Sequence, residues 1–454
     1  MNDITRRRHL RNETGIPPTS PFDPTSGPRF GMSPSPPGAP ARPRLLKTGS
    51  FGVLDIGSTK ITCLIGRVDN DGQIRVLGHG WHQSRGVKAG GITDLDEAER
   101  AIRKVVGDAE SMADYRLRSV VVNLSCGHPG SRLFNLQWPV GGRAVTEVDL
   151  RRVMQEGRQR AYVDGRDTIH ILPLAFAVDD TPGVADPRGL HCEQLSARLH
   201  VVDAGATALR NLVLTLERCE LSLAELVSAP MAAGLSTLVE DERLLGATVI
   251  DMGGGTTGMA VFSEGHVLHT AHLPVGGAHV TNDLARILST PVAHAERLKT
   301  LYGSAEVSPD DEREMLPLPL VGEEEHHVGR VPRSQVVKVI RPRLEETFEL
   351  VRDRLDSAGL ARESGNRVVL TGGASQLSGA REMAGRILDR QVRLGRPQLL
   401  RGLPEHLATP GFATAAGLLM WASGAGRSLP DIDMTEEQRG GWLKRLAHFL
   451  RDRV

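Results

Sequence analysis

The sequence contains no long apolar run, no excess of charge of either sign and no closely spaced cysteine pair. A membrane-spanning helix needs about 18 or more consecutive apolar residues, so none is expected. Lysine plus arginine and aspartate plus glutamate each number 55, so the net charge gives no indication of nucleic-acid binding. The four cysteines are scattered and are expected to be buried, reduced thiols, as in cytoplasmic proteins: Cys63, Cys126, Cys192 and Cys219.

Two widespread nucleotide-binding patterns are absent as well. The sequence has neither a Walker A motif nor a GxGxxG motif, which argues against P-loop and Rossmann folds. Its 454 residues exceed one ordinary hydrophobic core, so two or more domains are expected. No apolar stretch follows Arg6, Arg7 and Arg8, so the N-terminus does not read as a signal peptide. Residues 1–48 are rich in proline, serine, glycine and arginine and are predicted to be disordered, with a tether or a weak binder of anionic surfaces as the alternative.

One pattern occurs twice in the chain. Residues 51–56 and 61–68 are predicted to be buried strands, and the short polar segment 57–60 between them is predicted to be a tight turn. Strands at 247–252 and 259–262 flank a second turn, the glycine-rich segment 253–258. A motif repeated this far apart indicates two structurally related halves.

These turns have the composition of phosphate-binding loops. Glycine lets a backbone approach a phosphate closely, and successive N–H groups then point at the anion. A third turn containing Gly372, Gly373 and Ser375 follows a short apolar strand, 367–370. A single glycine-rich turn is more often an ordinary hairpin, whereas two matched turns and a third favour a triphosphate site. The candidate residues of the first two turns are Gly57, Ser58, Thr59, Lys60, Gly253, Gly254, Gly255, Thr256 and Thr257.

An aspartate ends the strand before each of the two matched turns. Asp55 and Asp251 cannot bind phosphate directly, because like charges repel. They can hold Mg²⁺, usually through water, since this ion keeps much of its hydration shell. Two such hairpins facing each other would bind a triphosphate from both sides.

Three segments resemble the motifs of the superfamily that contains actin, sugar kinases and heat-shock chaperone ATPases. LDIGSTK (54–60) is similar to its first phosphate motif, IDMGGGTT (250–257) to its second and VVLTGGAS (368–375) to its adenosine motif. Their order fits from about residue 50 to residue 422. The resemblance implies an α/β, actin-like two-domain fold with a central nucleotide cleft that binds ATP and Mg²⁺.

Further segments resemble the FtsA family of bacterial cell-division proteins. LPVGGAHVTND (273–283) is similar to the FtsA stretch after the second phosphate motif, and the resemblance implies that its Gly276 and Gly277 bind the nucleotide cofactor. SRGV (84–87) with GITD (91–94) resembles the approach to an inserted FtsA-type subdomain, here expected at 86–167, which mediates protein contacts. The resemblance thus implies a first domain at 49–85 and 168–245, and a second at 246–422 whose outer subdomain is 280–365.

The same resemblance extends to the adenosine-contacting segment, AERLK (295–299) with Gly303. It implies that Glu296 and Lys299 contact adenosine. The alternative is a solvated helix face with weak ion pairing between these two side chains.

One position departs from the superfamily pattern. A second aspartate usually follows the two threonines, and this chain has Gly258 there. The substitution removes a carboxylate from the place where metal or attacking water is arranged. Nucleotide binding is therefore expected with slow hydrolysis, if any.

The C-terminal segment has the pattern of an amphipathic helix. A polar linker at 423–438 precedes residues 439–454, which are expected to form a membrane-targeting helix of the kind with which FtsA proteins end. The alternative is a terminal helix docked on its own protein. The apolar side consists of Trp442, Leu443, Leu446, Phe449 and Leu450.

The resemblance to FtsA also implies a function. It predicts an ATP-binding protein that tethers FtsZ filaments to the inner membrane at the division septum, self-associates, and lies peripherally on the cytoplasmic face against anionic lipids. A small-molecule kinase on the same fold is the alternative. A basic set in the outer subdomain is predicted to receive the acidic FtsZ C-terminal tail, or else forms a solvated helix face: Arg333, Lys338, Arg341 and Arg343.

Overall fold

The computed structural model describes residues 49–323, 328–360 and 362–424. The extension predicted to be disordered (1–48), the membrane-targeting helix (439–454) and all but two residues of the predicted linker lie outside these ranges. No helix within the described ranges is long and apolar enough to cross a membrane.

The described residues contain eighteen strands, of which β4 and β5 have only two residues each, together with ten α-helices and four short 3₁₀ helices. The strands are β1 (Ser50–Ile56), β2 (Lys60–Val68), β3 (Ile74–Gln83), β4 (Val87–Lys88), β5 (Gly91–Ile92), β6 (Ser119–Leu124), β7 (Gly130–Pro139), β8 (Arg166–Val178), β9 (Thr181–Val184), β10 (Gln194–Gly205), β11 (Ser222–Ser228), β12 (Ala247–Met252), β13 (Thr257–Ser263), β14 (His266–Leu273), β15 (Met315–Pro319), β16 (Val328–Pro332), β17 (Arg367–Thr371) and β18 (Gln391–Leu394). The helices are α1 (Leu95–Ala113), α2 (Glu147–Arg160), α3 (Ala206–Arg218), α4 (Ala229–Thr237), α5 (Glu240–Leu245), α6 (Gly277–Ile287), α7 (Val292–Tyr302), α8 (Arg333–Ser357), α9 (Ala380–Leu388) and α10 (Ala413–Ala422).

Two five-stranded sheets repeat the same arrangement. The first has the order β11-β6-β1-β2-β3, and the second has the order β14-β13-β12-β17-β18. In each, the strand before the glycine turn pairs antiparallel with the strand after it and parallel with a later strand. The prediction of two structurally related halves is therefore confirmed, and the two halves are called the first and second lobes below.

Two helices cross between the lobes. Helix α10, from the end of the described chain, packs on β1, β2 and β6 of the first sheet, whereas α4 packs on β12 and β13 of the second. The two helices also pack on each other, and their apolar residues join the inner faces of both sheets in one core. The predicted bounds place α4 in the first domain (168–245) and α10 in the second (246–422). In the structure each helix packs on the sheet of the other lobe, which these bounds do not describe.

The inserted subdomain is a four-stranded antiparallel sheet with the order β7-β10-β8-β9, covered by α2. At the start of α2, the Asp149 carboxylate accepts from the Thr146 N–H at 2.9 Å and from its hydroxyl at 2.6 Å, which fixes the first turn of the helix. Leu136, Leu150 and Leu199 are fully or almost fully buried between this helix and the sheet. This core is separate from those of the lobes.

The predicted bounds of the insertion, 86–167, are wrong at both ends. Helix α1 covers β2 and β3, and β6 lies between β1 and β11, so both elements belong to the first sheet. The inserted sheet instead runs from Gly130 to Gly205. The physical reason is strand pairing: residues 120–122 pair in parallel with β1, a long-range contact that sequence periodicity does not report.

The inserted sheet lies against β14 of the second lobe. The hydroxyl of Ser131 on β7 lies 2.8 Å from Nε2 of His200 and 3.1 Å from Nδ1 of His269, and it accepts the Thr270 N–H at 3.1 Å. Burial lowers the pKa of His200 to about 3, so this ring is neutral near pH 7. The insertion is thus fixed to the second lobe by hydrogen bonds of Ser131.

The outer part of the second lobe consists of α6, α7, the hairpin β15–β16 and the long helix α8. The apolar residues of α8 include Val336, Ile340 and Phe348, which are all fully buried. Helix α8 therefore forms the inner wall of this part of the lobe.

Candidate functional site

The two matched glycine turns meet where the lobes face each other. Each turn is closed by one hydrogen bond, from Gly57 N–H to Lys60 O at 3.0 Å and from Gly253 N–H to Thr256 O at 2.9 Å. A Cβ atom on Gly254 would lie 2.1 Å from Cγ2 of Thr59, and one on Gly255 would lie 2.4 Å from Oγ of Ser58. A side chain at either glycine would occupy the space between the turns and displace the side chain of Thr59 or Ser58, so glycine keeps that space open.

Two aspartates and a lysine lie behind these turns. Burial raises the pKa of Asp55 to about 7, with the Lys60 ammonium acting to lower it and Asp251 to raise it. Burial also raises the pKa of Asp251 to about 6, although the Thr414 hydroxyl donates to this carboxylate at 2.8 Å. Lys60 lies with Nζ 3.4 Å from the centre of the Phe412 ring, and burial lowers its pKa to about 8. Three ionisable groups therefore lie together where water is largely excluded. A bound cation would be neutralised there by the two carboxylates, and a bound anion by the Lys60 ammonium.

The carboxylate pair fits a hydrated divalent cation better than a metal held by protein ligands alone. Among the residues that the structure describes, no group of three or more histidine, cysteine, aspartate or glutamate side chains could hold a metal ion. Asp55 and Asp251 supply two hard oxygen ligands, the type that Mg²⁺ prefers, and this ion usually completes its octahedron with water and phosphate oxygens. The donor set is compatible with Mg²⁺ bound together with a phosphate.

The backbone N–H groups that follow the second turn are hydrogen-bonded to that turn and are not free to bind a ligand. The N–H groups of Gly277 and Ala278, at the start of α6, donate to the carbonyls of Gly253 and Gly254 at 3.0 and 2.8 Å. Gly276 and Gly277 were predicted to bind the cofactor. Because the Gly277 N–H is already used, these glycines act by fixing the shape of the phosphate turn.

The third turn reaches the same place from the second lobe. Gly372 has φ +84°, and a Cβ there would lie 2.4 Å from an Asp251 carboxylate oxygen, so the turn requires glycine. Nothing lies within 4 Å of the Cβ position of Gly373, which leaves its backbone open. Ser375 is buried, and its hydroxyl donates to the Gly372 carbonyl at 2.7 Å. Gly373 is therefore accessible to a ligand, whereas Ser375 stabilises the turn.

Lys299 is largely buried, whereas the Glu296 side chain is 53% exposed, so only the lysine departs from the alternative of a solvated helix face. The Lys299 side chain is only 15% exposed and lies 2.7 Å from the Glu296 carboxylate. Both side chains bond to the hydroxyl of Thr281, and Lys299 also donates to the Gly277 carbonyl at 3.2 Å. Gly303 ends α7 with its N–H bonded to the Lys299 carbonyl. These residues form a fixed wall beside the phosphate turns.

Gly258 lies directly opposite Asp251 in the pairing of β12 with β13. A Cβ at this position would lie 3.1–3.2 Å from three ring atoms of Pro230, near the start of α4. The neighbouring Thr257 hydroxyl donates to the Val275 carbonyl. The side of the site where the superfamily has a second aspartate is thus crowded and carries no carboxylate at this position.

Sequence reasoning missed the contribution of the hairpin β4–β5. The N–H of Gly90 at its tip donates to the Ser58 hydroxyl at 3.0 Å. Asn123 was also missed, although its side-chain oxygen accepts the Ile56 N–H at 2.7 Å beside Asp55. The sequence analysis interpreted the flanking segments 84–87 and 91–94 as the approach to the insertion and left Gly90 between them unassigned.

The four cations predicted to receive a partner peptide do not form one cluster. Arg333 is mostly buried and bonds to Asp311 and to the Tyr302 carbonyl. Arg343 faces α6 and bonds to Asp283 through two nitrogens, at 2.6 and 3.2 Å. Lys338 and Arg341 are more exposed, at 62% and 42%, and each pairs with one carboxylate of its own chain. Only these two remain as candidates for an exposed binding surface.

Comparison with known proteins agrees with this architecture. The family described as "Cell division protein FtsA" matches residues 248–417, and the one described as "SHS2 domain inserted in FTSA" matches residues 126–203, the span of the inserted sheet. Among solved structures, the PilM-PilN type IV pilus biogenesis complex matches with a TM-score of 0.60 at 18% identity, over 84% of this chain and 99% of that one. The predicted actin-like α/β fold with an inserted subdomain is confirmed.

Similar curated proteins cover most of the chain. Cell division protein FtsA of Agrobacterium fabrum is 43% identical over 399 residues, which are 86% of this chain and 89% of the relative. The FtsA proteins of Neisseria meningitidis and Escherichia coli K12 are 36% and 33% identical over 88% of this chain and at least 96% of their own lengths. The chain therefore belongs to the family of the cell division protein FtsA and is an actin-like cell-division protein.

Proposed function

We propose that the chain binds ATP with Mg²⁺ between its lobes and tethers FtsZ filaments to the inner membrane at the division site. The observation that carries the nucleotide part is the pair of facing glycine turns with two buried carboxylates behind them. Calorimetric titration of the full chain with ATP and Mg²⁺ tests it, and the absence of saturable binding would overturn it.

The roles of the residues follow from their positions. Backbone N–H groups of residues 58–59 and 254–256, which lie inside the hydrogen bonds that close the two turns, and the hydroxyls of Ser58 and Thr59 donate to phosphate oxygens. Asp55 and Asp251 hold Mg²⁺ through water, and the ion neutralises phosphate charge when it is bound. Gly303, Gly373 and the ion pair of Glu296 with Lys299 form the adenosine side.

Hydrolysis of ATP is expected to be slow. A missing general base or water-positioning group commonly costs about 10² to 10⁴-fold in rate, and Gly258 supplies no carboxylate opposite Asp251. A steady-state phosphate-release assay should give a rate barely above that of a Gly254→Val variant, which controls for contaminating activity. Turnover of about 1 s⁻¹ or faster would mean that another residue arranges the water.

Membrane attachment is proposed to depend on residues 439–454. Burial of each large apolar side chain, such as Trp442 or Leu446, contributes about 1.5–3 kcal/mol before ordering costs. Each cation near an anionic surface adds about 1 kcal/mol. One tail should therefore bind weakly, and several tails on self-associated chains should bind tightly through effective concentration.

Liposome co-sedimentation tests this attachment. The full chain should sediment with anionic liposomes, whereas a chain ending at Gln438 and a Trp442→Glu, Leu446→Glu double variant should stay in the supernatant. Zwitterionic liposomes are the control for the electrostatic part, and they should retain less protein. Equal sedimentation of the truncated chain would show that this segment is not the anchor.

The partner surface is proposed to include the exposed cations of α8. A Lys338→Glu, Arg341→Glu variant should bind the acidic FtsZ C-terminal tail at least about tenfold more weakly, because a hydrogen bond to a charged group contributes about 1.5 kcal/mol or more. The matched control is Arg381→Glu, Arg386→Glu, which makes the same change of charge on α9. Arg343 is left unchanged, since its substitution would break the pair with Asp283. Fluorescence anisotropy of a labelled tail peptide measures the affinities, and equal affinity for both variants would place the groove elsewhere.

A further inference from the structure

We propose that the hairpin β4–β5 is a third wall of the nucleotide site, which distinguishes ATP from ADP and passes that difference to the inserted sheet. In this assignment the N–H of Gly90 positions the Ser58 hydroxyl for the terminal phosphate. The inference rests on the proposed function, because it requires a nucleotide between the lobes. The tip of the hairpin, Ala89 and Gly90, carries the contacts.

The tip contacts a phosphate turn of each lobe. The Gly90 N–H donates to Ser58 Oγ at 3.0 Å, in the first-lobe turn. The Cα atom of Ala89 lies 3.1 Å from the position that a Cβ on Gly255 would take, in the second-lobe turn. A hydroxyl oxygen that accepts the Gly90 N–H keeps its own proton for another acceptor, such as a phosphate oxygen. A phosphate bound at Ser58 would therefore act on the same group that holds the hairpin.

The tip is held in an unfavourable backbone conformation. Ala89 has φ +46° and Gly90 has φ +76°, so both residues of this two-residue turn lie in the left-handed region. Such turns favour asparagine, aspartate or glycine at the first position, and alanine is disfavoured there. Local strain of this kind persists only while surrounding contacts maintain it, so a change at Ser58 or Gly255 should move the tip.

The opposite side of the tip touches the connection to the inserted sheet. A Cβ atom on Gly90 would lie 2.5 Å from the Ser125 carbonyl oxygen, so the two backbones are in direct contact. Ser125 follows β6 and lies five residues before Gly130, where β7 begins. Its hydroxyl accepts from the Asn123 amide at 3.2 Å, and Asn123 in turn bonds to Ile56 N–H. Gly90 thus lies in contact with Ser58 of the first turn on one side and with Ser125, at the start of the connection to the insertion, on the other.

This placement couples the two regions. ATP and ADP differ at the terminal phosphate, and between the turns that group would meet the side chains of Ser58 and Thr59, which lie 2.4 and 2.1 Å from the Cβ positions of Gly255 and Gly254. A phosphate that displaces Ser58 or Gly255 moves them relative to the tip. Since Gly90 has no free space toward Ser125, the shift reaches residues 125–130, where the insertion begins.

Nucleotide affinities of a Gly90→Ala variant test the assignment. The added methyl group should collide with the Ser125 carbonyl, at a position with positive φ. The matched control is Gly91→Ala in the same hairpin, where the nearest atom to the new Cβ lies at 3.6 Å and φ is not positive. We expect Gly90→Ala to weaken Mg²⁺-ATP binding about tenfold and Mg²⁺-ADP binding less than about twofold. Gly91→Ala should bind both nucleotides like the unaltered chain. Calorimetry on the full chain measures the affinities.

Hydrogen exchange provides a second readout that does not depend on a variant. In the unaltered chain, amide exchange within residues 125–139 should differ between the ATP and ADP complexes, and Gly90→Ala should abolish this difference. Should Gly90→Ala not fold, Ala89→Gly, which relieves the left-handed strain, should reduce the same difference.

The possible failures are distinguishable. If the unaltered chain binds neither nucleotide, the proposed function fails and the inference fails with it. If it binds both, the inference alone is overturned by identical exchange of residues 125–139 in the two complexes. An equal loss of ATP and ADP affinity in Gly90→Ala would overturn it as well, since a merely structural role of the hairpin would affect both nucleotides alike.

Discussion

Replacement of Gly254 by valine is expected to lower the affinity for ATP at least about 100-fold, or about 2.7 kcal/mol. The Cβ of the new side chain would fall 2.1 Å from Thr59 Cγ2, in the space between the two phosphate turns. Phosphate oxygens have to enter that space to reach the backbone N–H groups. Isothermal titration calorimetry with Mg²⁺-ATP measures the effect.

The folded state should tolerate this substitution. The Thr59 side chain is exposed and can rotate away from the valine, so the thermal unfolding midpoint should stay close to that of the unaltered chain. Gly107→Val is the matched control, because no atom lies within 4 Å of the Cβ position of Gly107 on α1. This control should bind ATP normally. Unchanged ATP affinity in Gly254→Val would show that the nucleotide does not bind between these turns.

Replacement of Gly417 by alanine is expected to lower the stability of the folded chain strongly. A Cβ on Gly417 would lie 1.7 Å from the carbonyl oxygen of Ala232, where α10 crosses α4. The obstacle is backbone on a buried helix, so the two helices would have to separate. We expect the free energy of unfolding to fall by about 3 kcal/mol, the upper end of ordinary overpacking.

Urea denaturation monitored by circular dichroism measures this loss. The matched control, Gly107→Ala, adds the same methyl group to a helix without a contact and should stabilise by about 0.5–1 kcal/mol. Because α10 covers the first sheet and α4 the second, Gly417→Ala should also weaken the connection between the lobes. A change as small as that of the control would mean that the helices do not cross as closely as described.

Local properties of the sequence were sufficient for much of the candidate site. The turns after Asp55 and Asp251 were predicted because glycine-rich segments between apolar strands have few other backbone solutions. The start of α1 depends on a local contact of the same kind, because the carboxylate of Asp94 caps the helix by accepting the Glu97 N–H at 3.0 Å.

Charges were harder to interpret from the sequence. Arg333, Lys338, Arg341 and Arg343 all occur within eleven residues, yet two of them are held by carboxylates at Asp311 and Asp283. Those carboxylates come from segments far away in the sequence. Sequence spacing alone therefore could not separate a structural ion pair from an exposed binding group.

The sequence by itself determined the repeated halves, the glycine turns after Asp55 and Asp251, and the glycine in place of a carboxylate at position 258, since each depends on a short run of residues. Only the tertiary structure decided the exchange of α4 and α10 between the lobes, the limits of the inserted sheet and the contact of Gly90 with Ser58. The physical reason is the range of the interactions. Turn conformation depends on the φ and ψ angles of neighbouring residues, whereas strand pairing and helix packing depend on residues that only the folded chain brings together.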